Sequence, residues 1–388
     1  MIEFKEVRKS YKTKQVLKGI NLTIADGEFM VLIGSSGCGK TTLLKTINKL
    51  ISIDSGDVII NGVNVRELDE TQLPKKIGYV VQEGGLFPHM TIEDNIALTM
   101  KLAEWPEDKI HDRVTEMLQL VNLDPEAYRN LYPSQLSGGQ RQRVGVARAF
   151  ASDPPIILMD EPFSALDPVT RSELQNEVSA LHENFHKTIV FVTHDMDEAI
   201  KLSTRICVIH DGKIVQCDTP ERLLKHPAND YVDSFIGRNR LWSNPNFIYA
   251  EDFMLQNPVQ THINRTVMQA IMQMSIYHVD SLLVTRGGKM AGMLRLSNII
   301  HIEDYAQPID AFITDDYITV FNDTSLEEIV SKVDYNQTGV IPVTDHDGYL
   351  KGFLTKGCLL ATLSRQFTPE PEEKGSDSNG RFLAAFYR

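Results

Sequence analysis

No stretch of the 388-residue sequence is long and apolar enough to cross a bilayer as a helix, which takes roughly 20 consecutive apolar residues. The cleanest apolar runs, Ile156 to Met159 and Thr188 to Val192, have the length of buried strands instead. A long apolar segment is also missing behind Met1, where MIEFKEVRKSYK passes directly into alternating, strand-like sequence; the expectation is a chain that stays in the cytosol. Cysteine is scarce. Cys38, Cys207, Cys217 and Cys358 lie far apart with no C-x-x-C pair, which argues against a zinc site or a disulfide framework and for reduced thiols. Basic residues are outnumbered, 39 Lys and Arg against 52 Asp and Glu, for a formal charge of −13. A phosphate backbone demands clustered positive charge, so nucleic acid is not expected as a partner.

What is present is ordinary globular composition, 42% hydrophobic and 23% charged, over a length that favours more than one folding unit. From Met1 to about Gly237, short Val- and Ile-rich segments alternate with longer helical patterns, as in an α/β domain built on a largely parallel sheet. Phe29 to Ile33 reads as a strand entering a glycine-rich turn, and the spacing predicts a helix over 40–50. In GRNRLWSNPNFIYA periodicity lapses and Asn, Ser and Pro gather, which marks a linker over 238–250. An internal repeat follows: Thr266 to Met274 (TVMQAIMQM) aligns with Ser325 to Val333 (SLEEIVSKV), and Leu282 to Thr285 with Ile341 to Thr344. With the offset changed by one, Gly292-Met293-Leu294 falls over Gly352-Phe353-Leu354, so each copy reads helix, strand, tight turn, strand, helix. The copies are assigned to 251–307 and 308–367. Beyond Phe367 a Pro-, Glu- and Ser-rich segment is expected to form a flexible tail over 368–388, although it ends in the apolar FLAAFY.

The chemistry concentrates in two segments of the first domain. Gly34-Ser35-Ser36-Gly37-Cys38-Gly39-Lys40-Thr41 matches G-x-x-x-x-G-K-[ST] between an apolar strand and a helix start, with Thr42 following. Its glycines let backbone N–H groups turn inward around phosphate oxygens, and the helix N-terminus adds positive potential. Lys40 is suited to the terminal phosphates of a nucleotide and the Thr41 hydroxyl to Mg²⁺. Ile156-Ile157-Leu158-Met159-Asp160-Glu161 is a buried-strand run ending in two acids. Asp160 is the metal-side carboxylate, and Glu161, one residue beyond, is the candidate general base for the attacking water.

Leu136-Ser137-Gly138-Gly139-Gln140, followed by Arg141-Gln142-Arg143 and a helical stretch, gives the chain its resemblance to ABC-type nucleotide-binding domains. A serine and two glycines at a helix start make a second phosphate-binding surface by the same dipole and N–H logic. The resemblance covers residues 1–237. It implies that Tyr11 stacks on adenine, that Gln82 is the Q-loop residue beside Mg²⁺, that Ser164-Ala165-Leu166-Asp167 is the D-loop, and that His194 is the switch histidine. It also implies a head-to-tail dimer, in which Ser137 and Gly139 of one copy reach the γ-phosphate held by another. Catalysis then falls to Glu161, His194 and Lys40, and Gln82 links the site to transmembrane permease subunits, with a solute-binding protein or domain in the complex. GGLFPHMTIEDNI, DEPFSALDPVTR and TIVFVTHDMDEAIKLSTRICVIHDGKIVQ are similar to ATPase subunits of glycine betaine, carnitine and choline importers. These stretches face nucleotide and membrane partner, so the cargo rests on analogy. An importer of another small solute and a soluble, non-transport ABC protein are the alternatives. The latter usually shows coiled-coil insertions or two ATPase units, and this chain has no sustained heptad.

The repeated unit resembles a tandem pair of CBS domains, an α+β module, with VDSLLV at Val279 to Val284 as wording common beside quaternary-amine ATPases. CBS pairs commonly bind adenine nucleotides through a Thr or Ser followed three residues later by an Asp. This sequence departs from that pattern: Arg295 and Asn298 stand there in the first copy, and Thr355 and Cys358 in the second. Ribose-gripped AMP or ATP is therefore put in doubt, and cyclic di-AMP fits the missing acids better. Arg295, Asn298, Val340, Ile341 and Thr355 are the candidate ligand residues; a pair that merely helps dimerisation is the alternative. Residues 251–366 carry fourteen acids against eight bases, which disfavours electrostatic sensing of an anionic membrane. Placement at the cytoplasmic face of the membrane is expected through permease subunits alone.

Overall fold

The computed structural model describes residues 1–69, 73–82, 85–237, 240–333 and 339–365. The tail expected over 368–388 lies outside them. The chain divides into two units, Met1–Ile236 and Gly237–Arg388.

Among the described residues, the first unit has ten strands in two sheets. The strands are β1 (Ile2–Tyr11), β2 (Lys14–Ile24), β3 (Phe29–Ile33), β4 (Ser55–Ile60), β5 (Val63–Asn64), β6 (Ile77–Val80), β7 (Ile156–Asp160), β8 (Thr188–Val192), β9 (Arg205–His210) and β10 (Lys213–Asp218). The larger sheet runs β10-β9-β3-β8-β7-β6, parallel except for β10 at its edge. Strands β3, β7 and β8 are buried along their whole length, which is why they read as unbroken apolar runs rather than alternating ones. The smaller sheet, β2-β1-β4-β5, is antiparallel and was not anticipated as a separate layer. Its inward residues Ile2, Phe4, Leu17 and Ile20 share one core with Leu43 and Leu44 of the helix Lys40–Ile47 and with Leu158 and Val190 of the parallel sheet. That helix is shorter than the predicted 40–50 because Asn48 closes it and Lys49 turns left-handed at φ 59°.

The parallel sheet positions the site. Strands β3, β8 and β7 are neighbours, and Leu32, Val192 and Asp160 lie close in register near their carboxyl ends. The phosphate loop, the segment after Val192 and the Asp160-Glu161 pair therefore emerge at one edge, where open parallel sheets hold ligands.

The second unit contains the two copies. The first holds β11 (Gln260–His262), β12 (Ser281–Arg286) and β13 (Lys289–Arg295); the second holds β14 (Val320–Phe321), β15 (Val340–Thr344) and β16 (Leu350–Thr355). Helices Val267–Tyr277 and Leu326–Lys332 start at the equivalent N-caps Thr266 and Ser325, each accepting a backbone N–H in its first turn. The change of offset by one residue sits in the hairpin turn: Thr285 pairs with Met290, whereas Thr344 pairs with Leu350. The parallel strands β11 and β14 are too short to leave a periodic signal.

Each copy also sends its leading segment across to the other. Tyr249 bridges Ser325 and Leu255 bridges Phe353, while Pro308 bridges Thr266 and Thr314 bridges Met293. From the expected linker, Ile248 and Ala250 are buried in the core of the second copy, and Ile309 is buried in that of the first. Gly292 and Gly352 make room for the crossings: a Cβ on Gly292 would stand 2.0 Å from Ile313, and one on Gly352 would stand 2.7 Å from the Leu255 carbonyl oxygen.

Candidate active site

The phosphate loop leaves β3 at Gly34, which passes so close to β9 that a Cβ there would lie 2.0 Å from the Ile209 carbonyl oxygen. Only glycine fits. Lys40, buried at the first position of its helix, donates from Nζ to the carbonyl oxygens of Gly34 at 2.8 Å and Ser35 at 3.2 Å, so the ammonium lies against its own loop. A cavity of about 440 Å³ opens over this loop, lined by Val16, Ser36, Gly37, Gly39, Lys40, Thr41, Thr42, Glu161 and His194. Cys38 is buried behind the loop, and burial raises its thiol pKa above the ordinary range, so it supports the loop with its backbone and packing rather than as a thiolate.

Thr41 Oγ1 donates to Asp160 Oδ1 at 2.7 Å, and Lys45 Nζ stands 3.4 Å from Asp160 Oδ2. A hydroxyl and a carboxylate meeting beside a phosphate loop are hard oxygen donors of the kind Mg²⁺ takes, and they would hold it there. When bound, the ion neutralises charge on the phosphates. Tyr79 also reaches Asp160; burial and that carboxylate hold its phenol protonated, with a pKa well above the ordinary range. Neither Tyr79 nor Lys45 was singled out in the sequence. Lys45 was the more legible, one helical turn beyond Thr41.

Glu161 adopts φ 46°, a backbone conformation uncommon for a side chain other than Gly, Asn or Asp. Its N–H donates to the Val192 carbonyl at 3.0 Å, and the Ser164 hydroxyl donates to its own carbonyl at 3.1 Å. Its side chain is thereby aimed at His194, whose Nδ1 lies 3.2 Å from Glu161 Oε2. The two come from the ends of adjacent strands, β7 and β8.

Other expected residues stand apart from this cavity. Tyr11 ends β1 with an exposed ring, 5.5 Å from Lys9 Nζ, and does not line the cavity; Val16 does, and no motif marks it. Gln82 is exposed and lines a separate cavity of about 680 Å³, which it shares with Asp160, Tyr79, Lys45 and Arg141. Ser137 caps the helix Gly138–Ala151 in a reciprocal box: its hydroxyl accepts from Gln140 N, and Gln140 Oε1 accepts from Ser137 N. Ser137 and Gly138 are exposed, and none of Ser137, Gly138, Gly139 and Gln140 lines the phosphate cavity of the same chain.

In the second unit a cleft of about 520 Å³ is lined by residues of both copies, among them Asp280, Arg295, Asp315, Asp316, Tyr317 and Val340. Arg295 Nη2 donates to the Asp316 carbonyl at 3.1 Å, and Asn298 Nδ2 stands 3.5 Å from the Phe312 carbonyl. Ile341 belongs to the buried core. The Thr355 hydroxyl is occupied as a helix cap, accepting from Cys358 N at 3.2 Å. Of the five candidates, Arg295 and Val340 line the cleft.

A strand, phosphate loop and helix, a Thr–Asp pair beside them and a Glu–His pair across the same cavity define a P-loop nucleoside triphosphatase, whose Ser137-capped helix start lies apart from that cavity. A family model described as ABC transporter matches residues 17–164, and one described as CBS domain matches 250–304 and 309–365. The chain is 46% identical over 363 residues to the glycine betaine/carnitine/choline transport ATP-binding protein OpuCA of Bacillus subtilis (strain 168), covering 93% of this chain and 95% of that protein. It is 38% identical over 361 residues to the osmoprotectant import ATP-binding protein OsmV of Salmonella typhimurium, covering 92% and 94%. Among solved structures it is similar to the dimeric ABC transporter cassette MJ0796, with a TM-score of 0.53 and 37% identity over 57% of this chain and 99% of that one. The chain belongs to the ATP-binding subunits of ABC transporters of the glycine betaine/carnitine/choline family that carry C-terminal tandem CBS domains. It is an ABC-type ATPase, and its nucleotide is ATP with Mg²⁺.

Proposed function

We propose that this chain powers the import of betaine-type quaternary-ammonium solutes, working as a head-to-tail dimer beneath permease subunits at the cytoplasmic face of the membrane, with a solute-binding protein or domain in the complex. Residues 1–237 hydrolyse ATP: Lys40 holds the terminal phosphates, Thr41 and Asp160 hold Mg²⁺ with Gln82 beside them, Glu161 is the general base and His194 orients the γ-phosphate. The observation that carries this reading is the convergence of Lys40, Thr41, Glu161 and His194 on one cavity, while the Ser137–Gln140 motif faces outward. A serine and two glycines at a helix start facing outward are suited to meet the phosphates held by a second copy. The cargo rests on the full-length relatives, whose names carry glycine betaine, carnitine and choline. Cells carrying the partner subunits and this chain should take up labelled betaine, choline or carnitine, and lose that uptake with Glu161→Gln. If none of the three moves differently, the quaternary-amine assignment falls.

The CBS module, over 251–307 and 308–367 behind the 238–250 linker, is proposed to regulate turnover by binding cyclic di-AMP or another adenine nucleotide in the cleft between copies. Arg295 is the one cation among the described residues lining that cleft, against Asp280, Asp315 and Asp316. Such a lining repels a triphosphate more than a cyclic dinucleotide, which carries one charge per phosphodiester. Titration of the full chain with cyclic di-AMP should give a binding heat that Arg295→Ala abolishes. A flat trace from the native chain would overturn the ligand.

A further inference from the structure

Beside Glu161 and His194 lies a cavity of about 30 Å³, room for one water molecule, whose lining includes Ser164, Arg171, Thr193 and Glu198. Glu198 is 6% exposed. Its Oε2 accepts from the Thr193 hydroxyl at 2.6 Å, and that hydroxyl in turn accepts from Asp195 N at 3.0 Å, so one carboxylate fixes the turn that carries His194. The other oxygen, Oε1, stands 3.5 Å from Gln175 Nε2 and 4.0 Å from Arg171 Nε. Arg171 Nε is buried without a hydrogen-bond partner, while Nη2 of the same guanidinium donates to the carbonyl of Leu166, inside the Ser164–Asp167 loop, at 3.0 Å. That loop begins with Ser164, bonded to Glu161. The contacts therefore form a ring around the small cavity: Glu161, Ser164, Leu166, Arg171, Glu198, Thr193, His194 and back to Glu161.

The Arg171 side chain is partly exposed, but its Nε is buried without a partner and faces the buried Glu198 carboxylate; burying these polar groups carries a desolvation cost that apolar packing at the same place would not. We propose that Arg171 and Glu198 are a positioning pair that ties the Ser164–Asp167 loop to the Thr193–Asp195 turn and so sets the separation of the general base Glu161 from the switch histidine His194. This inference rests on the ATPase reading above. Neither Arg171 nor Glu198 lines the phosphate cavity, so the pair acts through Glu161 and His194. Its removal acts on the catalytic geometry and spares nucleotide binding, since Lys40 and the phosphate loop lie outside the ring.

The test is steady-state ATP hydrolysis by the full chain and its variants, with ATP binding and thermal unfolding measured alongside. Glu198→Gln should lower kcat roughly tenfold and leave KM within about twofold. Arg171→Met should do the same, and the double variant should lose no more than either single one, because coupled residues are not additive. Multiplying losses, or a Glu198→Gln chain with native kcat, overturns the pair. If Glu198→Gln also lowers the unfolding temperature, Arg171→Lys decides: it keeps the charge but cannot reach carbonyl and carboxylate together, and native turnover there overturns the proposal. A native chain that releases no phosphate refutes the ATPase reading itself. Native turnover abolished by Glu161→Gln but untouched by Glu198→Gln refutes this inference alone.

Discussion

Glu161 holds its left-handed backbone through two fixed points, its N–H on Val192 and its carbonyl on Ser164. Strain of this kind costs on the order of 1–3 kcal/mol and persists where surrounding structure determines it. The consequence is a carboxylate aimed at His194 that does not depend on its own charge for its direction. Glu161→Gln, nearly identical in shape, should therefore bind ATP as the native chain does while phosphate release falls by at least about 10²-fold. Equal turnover in the two would remove Glu161 from the role of base. At this scale the sequence was most legible where a spacing encodes a mechanism. Lys40 and Thr41 were read from the G-x-x-x-x-G-K-[ST] spacing and Asp160 from the end of an apolar strand, and the structure brings Thr41 and Asp160 within 2.7 Å. Val16 and Tyr79 were invisible because a valine on a hairpin and a tyrosine on a strand carry no such spacing. Tyr11 was named by family likeness, yet its exposed ring lies off the cavity that Val16 lines.

One buried polar cluster joins two helices of the first unit. Arg143, on the helix that Ser137 caps, donates to the Val121 carbonyl at 2.9 Å and to Glu173 at 2.8 Å, and it pairs with the buried Glu177. Asn122 donates to Glu177 at 2.7 Å. The helix Gly138–Ala151, whose start carries the Ser137–Gln140 motif (the signature), is thereby locked to the helix Pro168–Phe185, which begins directly after the Ser164–Asp167 loop. Glu177→Ala would leave a guanidinium buried without its main partner, at a cost of about 3–5 kcal/mol, to be read from chemical denaturation. Loss of less than about 1 kcal/mol would mean that Glu173 suffices. The parallel strands were legible because burial on both faces makes them uniformly apolar. The β1–β2 pair was not separated as an antiparallel layer, since its register shifts between Phe4 and Val7, and again between Lys9 and Ser10, break the alternation such a layer would show.

For the molecule as a whole, the outward Ser137 motif makes a mixing experiment decisive. Lys40→Ala should disable the phosphate loop and Ser137→Arg the signature, each silencing a homodimer. Mixed, the two chains should recover hydrolysis, because one composite site then joins the intact loop of one chain to the intact signature of the other. A mixture as silent as its parts would argue for sites completed within a single chain. The repeat in the second unit was legible from TVMQAIMQM and SLEEIVSKV, but the exchange of leading segments was not, because nothing in a linear alignment records which copy a segment leans on. That exchange works like a buckle. A chain cut in the loop between the copies would leave two pieces, each still holding the other's missing edge, whereas a chain ending before 308 would strip both cores at once. The module can therefore be kept whole or lost whole, and half of it is no smaller version of the same part.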